Sequence, residues 1–366
     1  MSAQIKSLLT NNTYCALPFV HNFQALDGHR YVCCFSTEHT IKNDNELVDI
    51  RAKILKGEKV PHCSVCYKWE AAGTISPRVK ETIGLIKDPV ILKTLKSSAI
   101  NLHDTKELTY DIRFDNKCNL ACIGCTPGAS SLWAKKENVV VEKPTKYTSD
   151  KLNKISTSRK IYIAGGEPLI NQKAYELLSN IADLSMQPEV TINSNIASIK
   201  PHFFEVLKKL HNLSITVSID GHGRVNEYHR WPLQWSKFQS NLEMLNDQNF
   251  FVTWNSVVDA ASVWGLANLL KIEHLTKQWN IIILQNPKEL SLENLPDHLK
   301  DQAKEQFESL KNSKFFYSDT LFNSRIQLGL AQIDKPGDPT ILSQKIHYLD
   351  TQRKINHQLY LGVKLT

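Results

Sequence analysis

Cys118-Asn119-Leu120-Ala121-Cys122-Ile123-Gly124-Cys125 places three thiols within eight residues, at C-x3-C-x2-C spacing. Structural zinc is usually closed by two C-x2-C-like pairs. Three thiolates instead suit three corners of a cubane iron–sulfur cluster and leave one iron open. On spacing alone, zinc and a ferredoxin-type cluster remain alternatives. Outward from this run, β-rich segments recur at 108–115, 160–164, 189–194, 213–219, 250–258 and 281–284. Helical patterns fill the intervals near 126–138, 170–183, 198–210, 234–247 and 262–275. Alternation with crossovers of this length implies an α/β fold, a parallel sheet with helices outside. Six such units, rather than eight, predict a partial (β/α)6 barrel. Sites in barrels of this kind lie at the C-terminal strand ends.

Those ends carry unusual residues. Strand one runs through Arg113-Phe114-Asp115-Asn116-Lys117 into the cysteines, and strand two into Ala164-Gly165-Gly166-Glu167-Pro168. Paired glycines allow close backbone approach to a ligand, and Glu167 can receive an ammonium group. Strand three ends Asn193-Ser194-Asn195, suited to sugar hydroxyls. Strand four ends Ser218-Ile219-Asp220-Gly221, followed by Tyr228-His229-Arg230. Singly, each also reads as a turn or a solvated charge.

Taken in order, these motifs resemble the radical S-adenosylmethionine (SAM) superfamily. The resemblance implies that Cys118, Cys122 and Cys125 hold a [4Fe–4S] cluster whose fourth iron is chelated by SAM. Reduction would cleave SAM to methionine and a 5′-deoxyadenosyl radical, which abstracts a substrate hydrogen. Gly165, Gly166 and Glu167 would hold the SAM amino group. Ser194, Asn195 and Ser218 are ribose or methionine-side candidates, and Arg230 would pair with the carboxylate. Gly124 departs from the large residue usual before the third cysteine, which leaves Ile123 or the backbone to cover the adenine.

The thiols before residue 100 form a second group. Cys15 to His21 reads as a strand, Asp27-Gly28 as a hairpin turn, and residues 29–34 as its partner strand. A helix is expected at 45–56, then Cys63-Ser64-Val65-Cys66. Cys15, Cys33, Cys63 and Cys66 could hold zinc or an iron–sulfur cluster, and C-x2-C knuckles slightly favour zinc. The pattern Gly28-x4-Cys33 followed by Cys63-x2-Cys66 resembles the twitch subdomain of radical SAM enzymes, here preceding the barrel. Trp69 to Gly73, Ser76-Pro77-Arg78, Gly223 to Tyr228 and Asn286-Pro287 fit the same N-terminal-twitch group. This resemblance implies a second, auxiliary [4Fe–4S] cluster. Cys34 is the thiol left over. Adjacent strand side chains alternate, so it should face away from that cluster, as a buried apolar residue or as a hydrogen-atom donor. Among His21, His29 and His62 no ligand spacing repeats, and Tyr31, Tyr67 and Tyr228 read as packing or as radical relays.

The expected organisation is a twitch-like module at 12–80, a helical linker at 81–107 with two short helices, the barrel at 108–290 and helices at 291–366. In the last segment Lys335, Lys345, Arg353 and Lys354 read as a solvated face. The 366 residues are 42% hydrophobic and 22% charged, with 44 basic against 37 acidic side chains and a net charge of +7. That is globular composition. The eight cysteines cluster at short spacings in a long chain without an export signal, which favours metal or redox chemistry over disulfides. No apolar run reaches the ~18 residues of a membrane span, and the start shows no secretory signal. A cytoplasmic protein is therefore expected. The basic charge alone suggests a non-catalytic, metal-stabilised nucleic-acid binder, but no aromatic-interleaved basic stripe supports it. The expected function is oxidative modification of a ribosomally made peptide, using an electron donor such as flavodoxin or ferredoxin. Dehydrogenation or epimerisation of a small sugar or aminocyclitol is the alternative.

Overall fold

The computed structural model describes residues 11–36, 38–71, 73, 75–103, 105–141 and 147–365. Strands β3 (Thr109–Arg113), β4 (Lys160–Ala164), β5 (Glu189–Ser194), β6 (Leu213–Ser218), β7 (Phe251–Val258) and β8 (Gln278–Ile283) lie parallel and in chain order. Helices Gln172–Ala182, Pro201–Leu207 and Trp235–Asp247 cross between them. Ile161, Ile163, Val190, Ile192, Ile215 and Val217 belong to the main core. Residues at the alternate positions turn to the other, inner face. That face is polar, and Thr216 and Thr253 join hydroxyls across it at 3.0 Å. Register pairs Arg113 with Ala164, Ser194 with Val217 and Ser218 with Asn255, so the strand ends form one rim.

Four expectations change. β8 begins three residues early because Trp279 and Ile281 bury one face while Gln278 and Asn280 alternate with them. The segment expected as a helix at 262–275 is 3-10 turns, Val263–Gly265 and Ala267–Leu275. A Cβ on Gly265 would lie 2.8 Å from the His222 amide nitrogen, so only glycine lets this turn pack so closely on the loop after β6. The strand expected from Cys15 is instead a helical turn, Leu17–Val20. Pro18 sits in its first turn, where its missing N–H costs nothing. β1 (His21–Gln24) follows, and β2 (Arg30–Tyr31) stops before Cys33 and Cys34, which lie in the turn beyond it.

The hairpin does not stand apart from the barrel. β1 pairs in parallel with β3, through His21 with Thr109 and Phe23 with Asp111, and gives the order β2-β1-β3-β4-β5-β6-β7-β8. Residues around it keep a core of their own, where Phe19, Ile50 and Ile54 meet Leu85, Ile91 and Leu95. The last three come from Pro77–Leu85, which straddles the expected boundary at 80/81, and from Pro89–Ile100. Among the described residues no helix is long and apolar enough to cross a membrane.

The C-terminal helices Asp297–Ser309, Thr320–Ile333, Pro339–Arg353 and His357–Leu361 pack into the main core through Phe307, Phe322, Ile346 and Leu349. Thr320–Ile333 lies against β8. Its Gly329 faces the Phe307 ring so closely that an added Cβ would overlap it. Gly329→Ala should therefore destabilise the fold by about 1–3 kcal/mol, read as a lower denaturant midpoint. An unchanged midpoint would show that the two helices separate freely.

Candidate functional site

The loop between β3 and helix Ser131–Lys136 carries Cys118, Cys122 and Cys125 with almost no regular structure, so its backbone polar groups need partners from elsewhere. They have them. The Lys117 carbonyl accepts from Glu167 N at 2.8 Å. Ser131 Oγ donates to the Cys118 carbonyl at 3.2 Å and accepts from Cys118 N at 3.0 Å. Ser130 Oγ donates to the Leu120 carbonyl at 2.6 Å, and Trp133 Nε1 to that of Cys122 at 2.7 Å. Ala121 N and Ile123 N donate to the carbonyls of Trp231 and His229, at 2.7 and 2.9 Å.

The remaining partner corrects an expectation. Arg353 is not on a solvated face; it is 3% exposed. Its Nη2 donates to the Ala121 carbonyl at 2.5 Å and Nη1 to that of Tyr228 at 2.8 Å. The guanidinium lies over the Trp133 and Tyr228 rings, and burial lowers its pKa to about 10.

A second charged group stands beside the thiols. Arg230 Nη1 is 3.8 Å from Cys122 Sγ, and its Nε pairs with Asp220 at 2.7 Å. The same Asp220 oxygen is 2.6 Å from His229 Nδ1, and Asp259 holds His229 Nε2 at 2.9 Å. Burial would strip His229 of its proton, but the two carboxylates outweigh it and raise the pKa to about 10. Burial likewise opposes ionisation of Asp220, yet Arg230 and His229 hold its pKa well below the usual carboxylate range. The sequence reading gave Asp220, His229 and Asp259 no role. An aspartate two residues after β6 and another directly after β7 were the available signal.

The glycine pair lies against the cysteine loop. Gly165 and Gly166 have φ of +81° and +53°. A Cβ on Gly166 would run into the Lys117 carbonyl, and one on Gly165 would sit 2.9 Å from Arg113 Cδ. Glu167 is 1% exposed, and its carboxylate accepts from Leu169 N, Ser194 Oγ and Asn195 N at 3.0, 2.7 and 2.7 Å. Glu167 and Ser194 thus tie two strand ends together, which is an anchoring use of groups expected to face a ligand. Asn195 Nδ2 bonds Asn119 at 3.0 Å and lies 3.9 Å from Cys118 Sγ. Ser218 is buried at the end of β6. Ile123 is buried, whereas the space over Gly124 is open.

Cys15, Cys33, Cys63 and Cys66 line one cavity, with His62 and Arg78. His21 lies elsewhere, bonded to Thr109. Burial and the neighbouring thiols push Cys15 well above its ordinary pKa and Cys63 to about 12. Four such thiols ionise together only around a cation. Among the described residues, no three His, Cys, Asp or Glu side chains close on a point as a single ion requires. Arg78 walls the cavity, held by Glu70 at 2.9 and 2.6 Å and by the Tyr14 carbonyl at 2.6 Å. Tyr31 and Tyr228 engage Asp27 and Asp350, and the Arg78 guanidinium lies over the Tyr67 ring.

Cys34 does not line that cavity. Its thiol lies near Asp111, and burial together with this carboxylate pushes its pKa well up. Asp111 pairs with Arg113 at 3.0 Å, and the guanidinium lies over Tyr162. Asp111 and Arg113 alternate with the core residues Tyr110 and Ile112, so this group belongs to the inner face of the sheet.

The His229 arrangement has a pH signature. Its pKa is about 10 folded and 6.5 unfolded, so the stabilisation is fully present below 6.5 and lost as pH rises through about 10. Denaturation midpoints of the wild type and His229→Gln should differ most below pH 6.5 and converge towards about 10. A gap independent of pH would mean a neutral ring.

Residues 112–259 match the family model described as Radical SAM superfamily. No curated protein sequence matches the chain. Among solved structures, histidine-tagged anSMEcpe with bound AdoMet aligns at a TM-score of 0.40 and 16% identity, over 59% of each chain. Streptococcus suis SuiB bound to S-adenosylmethionine aligns at 0.40 and 17%, over 75% of this chain and 63% of its own. The same protein bound to precursor peptide SuiA aligns at 0.40 and 15%, over 87% and 66%. The chain thus spans about three-fifths to two-thirds of the length of these structures. The stretch that matches the radical SAM superfamily model, residues 112–259, contains the cysteine loop, the glycine pair and Arg230.

Proposed function

We propose that this chain is a radical SAM enzyme that oxidatively modifies a ribosomally synthesised peptide. The observation that carries the reading is that the loop bearing Cys118, Cys122 and Cys125 packs through Lys117 against Gly166, with Arg230 3.8 Å from Cys122 Sγ. Three thiols held on a pre-bonded loop beside a guanidinium fit a [4Fe–4S] cluster with one open iron. When bound and reduced, such a cluster supplies the electron that cleaves SAM to methionine and a 5′-deoxyadenosyl radical.

The chain's own residues then have separable tasks. The backbone of Gly165 and Gly166 leaves room for the SAM amino group. Arg230 keeps Nη2 for the SAM carboxylate, because Asp220 takes Nε and Cys122 attracts Nη1. Asp220 and His229 fix its direction. The polar inner face of the sheet receives the substrate. The cavity walled by Cys15, Cys33, Cys63 and Cys66 would hold an auxiliary [4Fe–4S] cluster, which would serve as electron acceptor.

A second reading rests on Cys34. Its thiol stays protonated beside Asp111 on the inner face, where Sγ–H can be transferred to a substrate radical. The sulfur would then regain its hydrogen from a ferredoxin-type electron and a solvent proton, and the product would be epimerised rather than oxidised.

Two measurements test this. The anaerobically reconstituted protein should hold about eight iron, and the triple Cys118/Cys122/Cys125→Ala variant about half, with no deoxyadenosine formed. Undiminished deoxyadenosine from that variant would overturn the radical SAM assignment. One zinc and about four iron would overturn the auxiliary cluster. In D2O, Cys34→Ala should make product as the wild type does, without deuterium in either. Solvent deuterium incorporated by the wild type and lost in Cys34→Ala would establish the second reading instead.

A further inference from the structure

A cavity of about 230 Å3 lies between β8 and the thiol-rich module, and nothing above assigns it a role. Four consecutive residues of β8, Trp279 to Ile282, line it. Successive strand residues point to opposite faces, so a run of four marks the strand's edge rather than one face. β8 is the last strand of the sheet, and among the described residues no strand pairs with its outer side. An unpaired edge is a template for an added extended chain.

The side chains around this edge suit a peptide. Asn280 Nδ2 donates to Asn255 Oδ1 at 3.1 Å. That leaves the Asn255 NH2 group and the Asn280 carbonyl oxygen to donate to and accept from a peptide group. Phe35, Ile75 and Ile282 line the cavity and are 40%, 49% and 43% exposed. Large apolar side chains grouped in this way await a cover.

Arg325 supplies the charge. It is 9% exposed and lies 4.4 Å over the Trp69 ring. Among the described residues no hydrogen bond or ion pair engages its guanidinium, and burial is the sole influence on its pKa, which it lowers. A partly desolvated guanidinium with no anion beside it favours a carboxylate partner. Asp319, on the same wall, is occupied in capping the amides of Leu321 and Phe322. Lys80 and Glu81 also line the cavity, one charge of each sign.

We propose that this cavity binds an extended peptide along β8, with an acidic side chain of that peptide on Arg325 and its apolar neighbours over Phe35, Ile75 and Ile282. The inference rests on the peptide reading above and narrows it to carboxylate-bearing substrates. Phe35 also lines the four-cysteine cavity, so the bound segment would lie beside the auxiliary site.

The test uses the reconstituted full chain and N-acetylated tripeptide amides Leu-Glu-Leu and Leu-Gln-Leu, with binding followed by calorimetry. The Glu peptide should bind at least about tenfold more tightly than the Gln peptide. Arg325→Met should bring the ratio near unity, and Arg325→Lys should restore part of it. Equal affinities in the wild type, a ratio that survives in Arg325→Met, or no saturable binding at about 10 mM would each overturn the proposal. Deoxyadenosine formation by the wild type without peptide reports on the enzyme reading alone, so failure of one is distinguishable from failure of the other.

Discussion

The Arg353 guanidinium, sealed between Trp133 and Tyr228 and bonded to the Ala121 carbonyl, is the contact on which the cysteine loop depends. A buried cation without a carboxylate is tolerated when carbonyl oxygens and aromatic faces replace its water. Here both are present. The loop cannot form a helix or strand and still aim three thiols at one point, so it draws its hydrogen bonds from Ser130, Ser131, Trp133 and Arg353. Removing one of these leaves an unsatisfied buried carbonyl, at a cost of about 1–3 kcal/mol.

The second constraint is electrostatic. Asp220, Asp259, His229 and Arg230 place two negative and two positive charges behind the thiols, Arg230 partly and the other three fully buried. The set is balanced within itself, so it can be buried without neutralising the site it supports. Its geometric effect is to pin the Arg230 guanidinium by Nε while its far side stays available.

Much of the architecture was legible in the sequence for a simple reason. Residues 160–164 and 189–194 alternate core and inner-face side chains, and such alternation is a local property that survives folding. The C-x3-C-x2-C spacing and the Gly165-Gly166 pair were legible because chemistry and close approach dictate residue type. What escaped detection is tertiary. Arg353 sits in the last turn of a charged helix, and nothing local separates it from its solvated neighbours. Glu167 looked like a ligand group because an acid beside two glycines does not reveal that three donors already surround it. Cys33 and Cys34 were expected on a strand that ends at Tyr31, so alternation did not apply, although their side chains do part. The pairing of β1 with β3 joins residues separated by 88 positions, and no periodicity reports such a contact.

The Arg353 bond also bears on the order of synthesis. Ala121 and Arg353 are 232 residues apart, and a ribosome adding ~5–20 residues per second takes about 10–50 s to travel that far. Through this interval the cysteine loop exists in the nascent chain with its central carbonyl lacking the native donor, even after the strands on either side of it are available. The thiols therefore reach their final arrangement only after the last long helix has emerged. Maturation of this centre is in that sense an event of the finished chain, although its cysteines are made in the first third of it.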